Sequence, residues 1–469
     1  CDTVIVSDCI AQTDTTVTAD ILLPATGWGE KEGTVTNSER CISRQRALIE
    51  PLGEARHDWW IMAQVAQAMG YREGFAYNSP RDIFVEHAAL SEFKNTGNRL
   101  FNIGSLSTLS ELEYDQLEPV QWPVTAASPS GTKRLFMDGQ FPTATGKAQF
   151  ISSAAESPRQ SLSEKFPLAL NSGRIRDQWH TMTRTGRASR LLDHIEQPFV
   201  AIHPDTARAY QLTEHDLAKV TTAQGNVELS VVTDAGLKPS QLFIPIHWNN
   251  QFSKSARVDS LVAPIIDGVS GQPEFKFTPA TIARINVPCW AVLVSRTKLS
   301  CESFINWSLS PLENNQGYLY QVAVTEHFNW QDFIALKRLI DQGPAQAYEH
   351  YADESVSDQR FICYSDQQIE MAVFTHADKS QLPGRAWLQR LFVEQVDGNY
   401  WSLIASSAEP DQGKLICSCF KVSEKTITDA IEEGACSAQE LGQQLQCGTN
   451  CGSCVPELNN LITKNLSLA

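Results

Sequence analysis

Two closely spaced pairs of cysteines near the C-terminus constrain the fold of this chain most strongly. Cys417 and Cys419 form one closely spaced pair in the sequence, and Cys451 and Cys454 form the other. Half of the twelve cysteines lie in the last 53 residues. Two such pairs of thiolates can hold a [2Fe-2S] cluster or a structural zinc ion, and spacing alone does not decide between them. Disulfides are a third and weaker alternative, because isolated thiols elsewhere in a long chain are typical of a reduced cytoplasmic protein.

The residues between and after these pairs predict a small helical module. Ser423 can cap a first helix that ends at Gly434, and Ser437 with Glu440 forms a capping box for a second helix. A third helix is expected after Cys454. A negatively charged cluster at helix N-termini is favoured by free backbone amides. The apolar positions of the three helices are Ile427, Ala430, Ile431, Leu441, Leu445, Leu458, Leu461 and Ile462.

The composition is that of a globular protein of several domains. The chain has 469 residues, 42% of them hydrophobic and 20% charged, and a formal net charge of -16. About three domains are expected at this length. The negative charge repels phosphate backbones, so a nucleic-acid partner is not expected. No run of about 18 apolar residues occurs, so a membrane partner is not expected either.

The first residues predict a strand and suggest that more chain precedes them. The sequence begins at Cys1 and runs directly into residues 2–8, whose apolar pattern predicts a core strand. Such a strand normally has neighbours earlier in the sequence, so the chain is expected to be a fragment of a longer polypeptide. No signal peptide is recognisable.

An arginine-rich segment follows a predicted strand near the middle of the chain. Residues 166–171 predict the strand, and five arginines fall within the 17 residues 174–190. No phosphate-binding loop of the P-loop or dinucleotide type occurs in the sequence. Ser172, Gly173 and Arg174 would let backbone amides and a guanidinium approach a phosphate, and Trp179 could stack on a flat ring. A surface loop with ordinary charge pairs explains the segment equally well.

The tail is similar to the BFD-like [2Fe-2S] domains, those of the bacterioferritin-associated ferredoxin type. The likeness covers about residues 415–463 and rests on the C-x-C motif, the Ala430-Ile431 helix and the sequence G-T-N-C-G-S-C at 448–454. It implies that a [2Fe-2S] cluster is bound by Cys417, Cys419, Cys451 and Cys454. Cys436 and Cys447 are then expected not to be ligands.

The first 285 residues resemble the C-terminal half of the molybdopterin oxidoreductases. The motifs are A-D-x-x-L-P at 19–24, E-K-E-G-T-x-x-N-x-E-R at 30–40, G-E-A-R-H-D-W at 53–59, the segment 172–181 and S-G-Q-P-E-F-K at 270–276. The likeness implies a molybdenum bis(molybdopterin guanine dinucleotide) cofactor. The residues that it places at this cofactor are Ser7, Asp8, Lys31, Asp58, Ser172, Gly173, Arg174, Trp179, His180, Thr181 and Lys276, and Asp259 where the family generally has Asn.

These likenesses imply a multidomain protein of α/β and β class. The expected divisions are 1–120, the C-terminal part of the molybdopterin oxidoreductase α/β domain; 121–165, a connection; 166–288, the dinucleotide-binding β-barrel; 289–412, a small α+β module without an assigned role; and 413–469, the [2Fe-2S] domain. In the module, residues 292–294, 318–320, 361–364 and 371–374 predict strands and residues 330–339 a helix. Its His327 and His376 are more often packed or solvated than ligands.

The combination of both likenesses resembles the catalytic subunits of bacterial assimilatory nitrate reductases. It implies reduction of nitrate to nitrite in the cytoplasm, with electrons supplied by an NAD(P)H-dependent flavoprotein subunit or a ferredoxin. A [4Fe-4S] cluster and the molybdenum ligand are expected in chain that precedes Cys1, so no catalytic residue is assigned and this piece alone is expected not to turn over nitrate. Another molybdopterin oxidoreductase, such as a formate dehydrogenase, and an electron-transfer protein with a degenerate cofactor half are the alternatives.

Overall fold

The computed structural model describes residues 1–152, 156–326, 328–334, 347–365, 368–393 and 414–466. The chain divides into two compact units, Cys1–Glu156 and Ser157–Ala469. The finer division into five segments stays a prediction. Within the described residues, no helix has the length and apolar character needed to cross a membrane.

The first unit contains small sheets and three helices. Its elements are β1 (Ile5–Asp8), β2 (Ile21–Pro24), β3 (Gly33–Thr36), β4 (Cys41–Gln45), α1 (Asp58–Ala68), α2 (Pro80–Glu92), α3 (Glu111–Asp115) and β5 (Val120–Gln121). Strands β1 and β2 pair in parallel, whereas β3, β4 and β5 form an antiparallel sheet. Helix α2 begins after Ser79, and Asp82 at its third position caps the backbone of Asn78 and Ser79.

The predicted first strand is present as β1. Among the described residues β1 pairs with β2 in a two-stranded sheet and Ile5 is 57% exposed, so its predicted place in a core stays a prediction. The apolar core of the unit lies instead around Phe84 and Ala88 of α2, which pack with Tyr114 and Ile42. The unit is therefore held together away from its N-terminal strands.

A closed six-stranded barrel opens the second unit. Its elements are β6 (Leu168–Gly173), α4 (Ser189–Leu192), β7 (Phe199–Ile202), α5 (Pro204–Ala209), β8 (Leu217–Thr221), β9 (Asn226–Thr233), β10 (Gln241–Pro245) and β11 (Thr278–Arg284). The strand order is β10-β6-β11-β8-β9-β7. Val227, Leu229 and Val231 alternate along β9 and point into the core, as the sequence predicts. Each such side chain contributes about 1.5–3 kcal/mol when it is fully buried.

One end of the barrel gathers several strand termini. Strands β6 and β10 run in parallel and end together at Gly173 and Pro245. Strand β11 is antiparallel to both β6 and β8, so its first residue, Thr278, and the last residue of β8, Thr221, lie at the same end. We call this end the Gly173 rim. Loops that leave it can meet even when they are distant in sequence.

A six-stranded antiparallel sheet follows the barrel. Its elements are β12 (Cys289–Ser295), β13 (Asn306–Pro311), β14 (Tyr318–Val324), β15 (Ala347–Asp353), β16 (Asp358–Ser365), β17 (Gln368–His376) and α6 (Arg385–Val393), with the order β13-β14-β12-β17-β16-β15. The four predicted strands are confirmed, and β13 and β15 are additional. Residues 330–334 are helical, while the rest of the predicted helix and His327 lie outside the described residues.

The tail folds as the helical module that the sequence predicts. Its elements are β18 (Leu415–Cys417), β19 (Val422–Ser423), α7 (Glu424–Glu432), α8 (Ala438–Leu445) and α9 (Val455–Leu466). Ser423 accepts a hydrogen bond from Thr426 N at 3.2 Å, and Ser437 accepts one from Glu440 N at 3.2 Å. Gly434 has a φ of 114° after α7, which an L side chain rarely adopts. The predicted apolar positions form one core.

Candidate functional site

The four predicted iron ligands lie together at one end of the tail module. Cys417 ends β18 and Cys419 follows in the turn, while Cys451 and Cys454 occupy the loop before α9. The Sγ atoms of Cys419 and Cys451 are 3.5 Å apart. The thiols of Cys417 and Cys454 interact with each other on the buried side, and burial raises the pKa of Cys454 to about 11. Each pair therefore joins one cysteine from each motif.

The two thiol pairs differ in their access to solvent. Cys417 and Cys454 are each only 3% exposed, whereas Cys451 is exposed and Cys419 partly so. The Ser453 hydroxyl lies 2.8 Å from the Cys451 sulfur and lowers the pKa of that thiol, which favours the thiolate that iron requires. The tail therefore has one buried and one solvent-facing side of its thiol site.

This donor set fits a two-iron cluster. Among the described residues, no group of three or more His, Cys, Asp and Glu side chains is placed to hold a single ion. Four cysteines in two separate pairs suit a cluster in which each of two irons needs two thiolates. Cys447 directs its thiol to the Leu441 carbonyl at 3.6 Å, and Cys436 directs its thiol to the Gly434 carbonyl at 3.3 Å.

The second candidate site lies where β6 ends at the Gly173 rim. Ser172 Oγ donates to the carbonyl of Phe275 at 2.9 Å, and Lys276 Nζ donates to the carbonyl of Ser172. A Cβ at Gly173 would lie 2.7 Å from the Phe243 ring and 3.7 Å from Lys276 Nζ. A side chain at this position would therefore force the Phe243 ring to shift. The structure brings the predicted residues Ser172, Gly173 and Lys276 together.

A histidine that the sequence analysis missed forms hydrogen bonds with the backbone of the loop that follows β6. His247 is fully buried just after β10. Its Nε2 accepts a hydrogen bond from Ile175 N at 3.0 Å, so Nδ1 donates to the carbonyl of His180 at 2.7 Å. Burial lowers the pKa of His247, which is consistent with this neutral form. Asn249 Nδ2 donates to the carbonyl of Thr181 at 2.8 Å. The only sequence signal was their place directly after a buried strand.

The loop between Arg174 and Met182 has an unusual backbone. Asp177, His180 and Met182 have φ values of 72°, 32° and 58°. Left-handed conformations cost energy in residues other than glycine and cluster at functional sites. The side chains of Arg174, Trp179, His180 and Thr181 are exposed, and Trp179 is 69% exposed. The loop therefore presents a cation, a ring and polar groups on a fixed backbone.

Asp259 lies in a short 3-10 helix, Val258–Leu261, that packs at the same rim. The carbonyl of Leu261 accepts a hydrogen bond from Thr222 Oγ1 at 2.9 Å, one residue beyond β8. Burial raises the pKa of Asp259, and Arg257 partly opposes this effect. An Asp whose pKa is raised is easier to protonate, which would restore the donor that Asn offers.

The arginines of residues 174–190 do not all serve the same site. Arg174 is exposed at the loop, and Arg187 Nε donates to the carbonyl of Thr183 at 3.3 Å. Arg176 and Arg190 instead contact the tail module, so the segment is not a phosphate cradle throughout. The simple surface-loop alternative does not explain contacts to residues more than 200 positions away.

The first unit contains a separate cluster of predicted residues. Lys31 Nζ lies 2.5 Å from Asp58 Oδ2, and Ser7 Oγ donates to Asp58 Oδ1 at 3.4 Å. Asp58 is the first residue of α1, and both members of the ion pair are partly exposed. Asp8 instead accepts from Ile10 N at 2.9 Å. Three of the four predicted contacts thus meet at the end of β1.

The dinucleotide group fits the residues that are present. Gly173 places its backbone close against the Phe243 ring, with the Lys276 ammonium next to it. Among the described residues, the buried Oε1 of Gln178 in this loop has no hydrogen-bond partner. Exposed Arg174 and Trp179 offer charge and stacking to a phosphorylated ring system. Whether these residues contact the cofactor stays a prediction.

Three family matches agree with this architecture. Residues 1–68 match the Molybdopterin oxidoreductase family, residues 168–279 the Molydopterin dinucleotide binding domain and residues 415–464 the BFD-like [2Fe-2S] binding domain. The chain therefore carries domains of the molybdopterin oxidoreductase family together with a BFD-like [2Fe-2S] domain. The likeness inferred from the motifs is confirmed, and of the alternatives that cysteine spacing left open, the family match favours [2Fe-2S].

The relatives of this chain include nitrate reductases. The nitrate reductase of Klebsiella oxytoca is 39% identical over 477 residues, which cover 100% of this chain and 53% of that protein. The nitrate reductase of Shewanella frigidimarina (strain NCIMB 400) is 32% identical and covers 98% of the chain. The F420-dependent formate dehydrogenase subunit alpha of Methanocaldococcus jannaschii is 31% identical over 61% of the chain. The chain spans about half the length of the nitrate reductases that it matches.

Proposed function

We propose that this chain is part of a molybdenum-dependent nitrate reductase of the assimilatory type that acts in the cytoplasm. The observation that carries the proposal is the extent of the relatives' similarity. The match to the Klebsiella oxytoca nitrate reductase covers the whole chain, including the tail region, whereas the match to the formate dehydrogenase subunit covers 61%. The proposed substrate is nitrate and the proposed product is nitrite.

The reaction consumes two electrons and two protons and releases one nitrite and one water for each nitrate. When bound, the molybdenum cofactor supplies oxygen-atom and two-electron chemistry, and the [2Fe-2S] cluster supplies one-electron transfer. The chain's own residues would bind and orient these groups. Ser172 to Thr181, Lys276 and Asp259 would hold one dinucleotide, and Ser7, Asp8, Lys31 and Asp58 would contact the other. Cys417, Cys419, Cys451 and Cys454 would hold the [2Fe-2S] cluster.

The tail would receive the electrons. Cys451 is exposed and Cys419 partly exposed, so a donor protein could approach this side of the cluster closely. Cys417 and Cys454 are buried on the other side. The donor would be an NAD(P)H-dependent flavoprotein subunit or a ferredoxin, each of which can deliver single electrons. A [4Fe-4S] cluster elsewhere in the full-length protein would carry the electrons toward molybdenum.

The experiment is a substrate comparison with the full-length holoenzyme. Oxidation of reduced viologen is followed with nitrate, and reduction of oxidised viologen is followed with formate. We expect nitrite formation that disappears when the cells are grown with tungsten in place of molybdenum. Formate oxidation without nitrite formation would overturn the proposal in favour of a formate dehydrogenase, the activity named for the Methanocaldococcus jannaschii relative. Bound iron without any pterin would instead favour an electron-transfer protein with a degenerate cofactor half.

A further inference from the structure

Two arginines of the barrel domain donate hydrogen bonds to the backbone of the C-x-C turn. Arg190 Nε donates to the carbonyl of Ser418 at 3.0 Å, and its Nη2 donates to the carbonyl of Cys419 at 2.8 Å. Arg176 Nη2 donates to the carbonyl of Ile416 at 2.7 Å. Three carbonyls within four residues thus bond to guanidinium groups of another domain. Charge-assisted hydrogen bonds of this kind are roughly twice as strong as neutral ones.

Further ion pairs connect tail residues that follow this turn to the rest of the unit. Glu457 in α9 contacts Arg176 Nη1 at 2.9 Å and His194 Nε2 at 2.9 Å. Lys421 Nζ lies 2.8 Å from Glu313 Oε1, in the 3-10 turn between β13 and β14. Contacts before, within and after the C-x-C motif restrain the turn in more than one direction. A single flexible arginine contact would not achieve this.

Arg190 places a permanent positive charge beside a predicted cluster ligand. Its guanidinium bonds to the carbonyl of Cys419, whose sulfur belongs to the solvent-facing thiol pair. Uptake of one electron reduces one ferric iron to ferrous and makes the cluster more negative by one charge, without forming or breaking a bond. Net charge and hydrogen bonding around a cluster set its potential, so a nearby cation stabilises the reduced form.

We propose that Arg190 is a positioning residue that holds the C-x-C turn on the barrel and raises the midpoint potential of the [2Fe-2S] cluster. The same barrel segment, residues 172–194, would then contact the dinucleotide in its first part and the cluster domain through Arg176, Arg190 and His194. The inference rests on the proposed binding of both cofactors. It adds a residue-level coupling between the domain that receives electrons and the domain that holds the pterin.

The test is an EPR-monitored redox titration of the full-length holoenzyme and three variants. Arg190→Gln removes the charge, Arg190→Lys keeps the charge but not the two-pronged contact, and Arg208→Gln removes one charge from an exposed ion pair on α5. We expect Arg190→Gln to lower the reduced-to-oxidised ratio at a fixed potential by about tenfold, which is about 59 mV for one electron. Arg190→Lys should lower it less, and Arg208→Gln should leave it unchanged.

Iron and acid-labile sulfide contents make each result decisive. An Arg190→Gln protein with full iron and sulfide and the wild-type potential overturns the inference. If Arg190→Gln loses its cluster while Arg208→Gln keeps it, the Arg190→Lys protein decides: a lowered potential supports the inference and the wild-type potential overturns it. The titration needs no nitrate turnover. A shifted potential without nitrate reduction would therefore overturn only the proposed function, and nitrate reduction with unshifted potentials only this inference.

Discussion

Glu457 and His194 lie 2.9 Å apart, with Oε1 of the carboxylate facing Nε2 of the imidazole across the junction between the tail and the barrel. The other ring nitrogen of His194 lies 3.2 Å from Asp177 Oδ2, in the loop that carries the predicted dinucleotide contacts. Arg176 pairs with both carboxylates. A continuous set of charged contacts therefore runs from the cofactor loop to the last helix.

Replacement of Glu457 by Gln should loosen the tail in a pH-dependent way. Burial alone would raise the pKa of Glu457, but its contacts with His194, Lys414 and Arg176 lower it from 4.5 to about 2. A carboxylate whose pKa is lowered on folding stabilises the fold at pH values above its pKa in the unfolded state. This stabilisation is lost as the pH falls through its pKa in the folded state. At pH 7, Glu457→Gln should reduce the opening free energy of the tail by up to about 3 kcal/mol.

Hydrogen exchange of residues 455–466 at pH 7, 5, 4 and 3 measures this effect. The difference between wild type and Glu457→Gln should be constant at pH 7 and 5 and shrink below pH 4.5. Glu432→Gln, an exposed carboxylate of α7, is the matched control and should match wild type throughout. A Glu457→Gln difference that stays the same at pH 3 would contradict the role assigned to this carboxylate.

The four-cysteine site predicts which thiols the cluster needs. Cys419→Ser and Cys451→Ser should each lose the [2Fe-2S] absorption and EPR signals and most of the iron and sulfide, because each iron needs two thiolates. Cys436→Ser should keep both, since its thiol faces the Gly434 carbonyl. Iron and sulfide analysis of the purified proteins provides the measurement. Full cluster content in Cys451→Ser would remove that residue from the ligand set.

His247 should control the rigidity of the loop above it. In His247→Phe, Ile175 N and the carbonyl of His180 lose their partners. Both hydrogen bonds are part-buried, so each lost partner costs at most the roughly 1–3 kcal/mol that applies to a fully buried group. We expect a lower unfolding temperature and faster trypsin cleavage between Arg174 and Arg187. His247→Gln offers both a donor and an acceptor and should lose less. Equal proteolysis rates for His247→Phe and wild type would show that the histidine does not hold the loop.

Gly173→Ala should disturb the rim and weaken dinucleotide retention. The added Cβ would lie 2.7 Å from the Phe243 ring, and overpacking of this kind costs about 1–3 kcal/mol. Gly268→Ala is the control, because nothing lies within 4 Å of its added Cβ. Guanine released by acid hydrolysis, measured per mole of protein beside the unfolding temperature, separates the two effects. Wild-type guanine content and stability in Gly173→Ala would argue against a role of Gly173 in binding the dinucleotide.

Local sequence signals predicted the elements well, whereas the junctions between domains could not be predicted. The caps at Ser423 and Ser437 act within one helical turn, so they are readable from neighbouring residues. Strands β13 and β15 were missed because their sequences are interrupted by polar residues and lack a continuous apolar run. Ile175 meets His247 across 72 positions and Arg190 meets Cys419 across 229, and only the fold brings such residues together.

The contact between the tail and the barrel could not be predicted for the same reason, although its residues were noticed. The arginines of residues 174–190 predicted either an anion-binding site or a surface loop with ordinary charge pairs, and the sequence favoured neither. The structure gives Arg176 and Arg190 carbonyl partners in the tail. Charge density in a sequence shows that anionic or carbonyl partners exist, but not which ones.

Rapid-freeze EPR of the pre-reduced holoenzyme tests most directly whether nitrate draws electrons through the tail cluster. The enzyme is reduced until the [2Fe-2S] signal is full, freed of reductant and mixed with nitrate or, as a control, with nitrite. The account predicts that nitrate removes the [2Fe-2S] signal within one turnover, with one nitrite formed for every two electrons lost, and that nitrite leaves the signal intact. A [2Fe-2S] signal that persists through repeated nitrite formation would contradict the account.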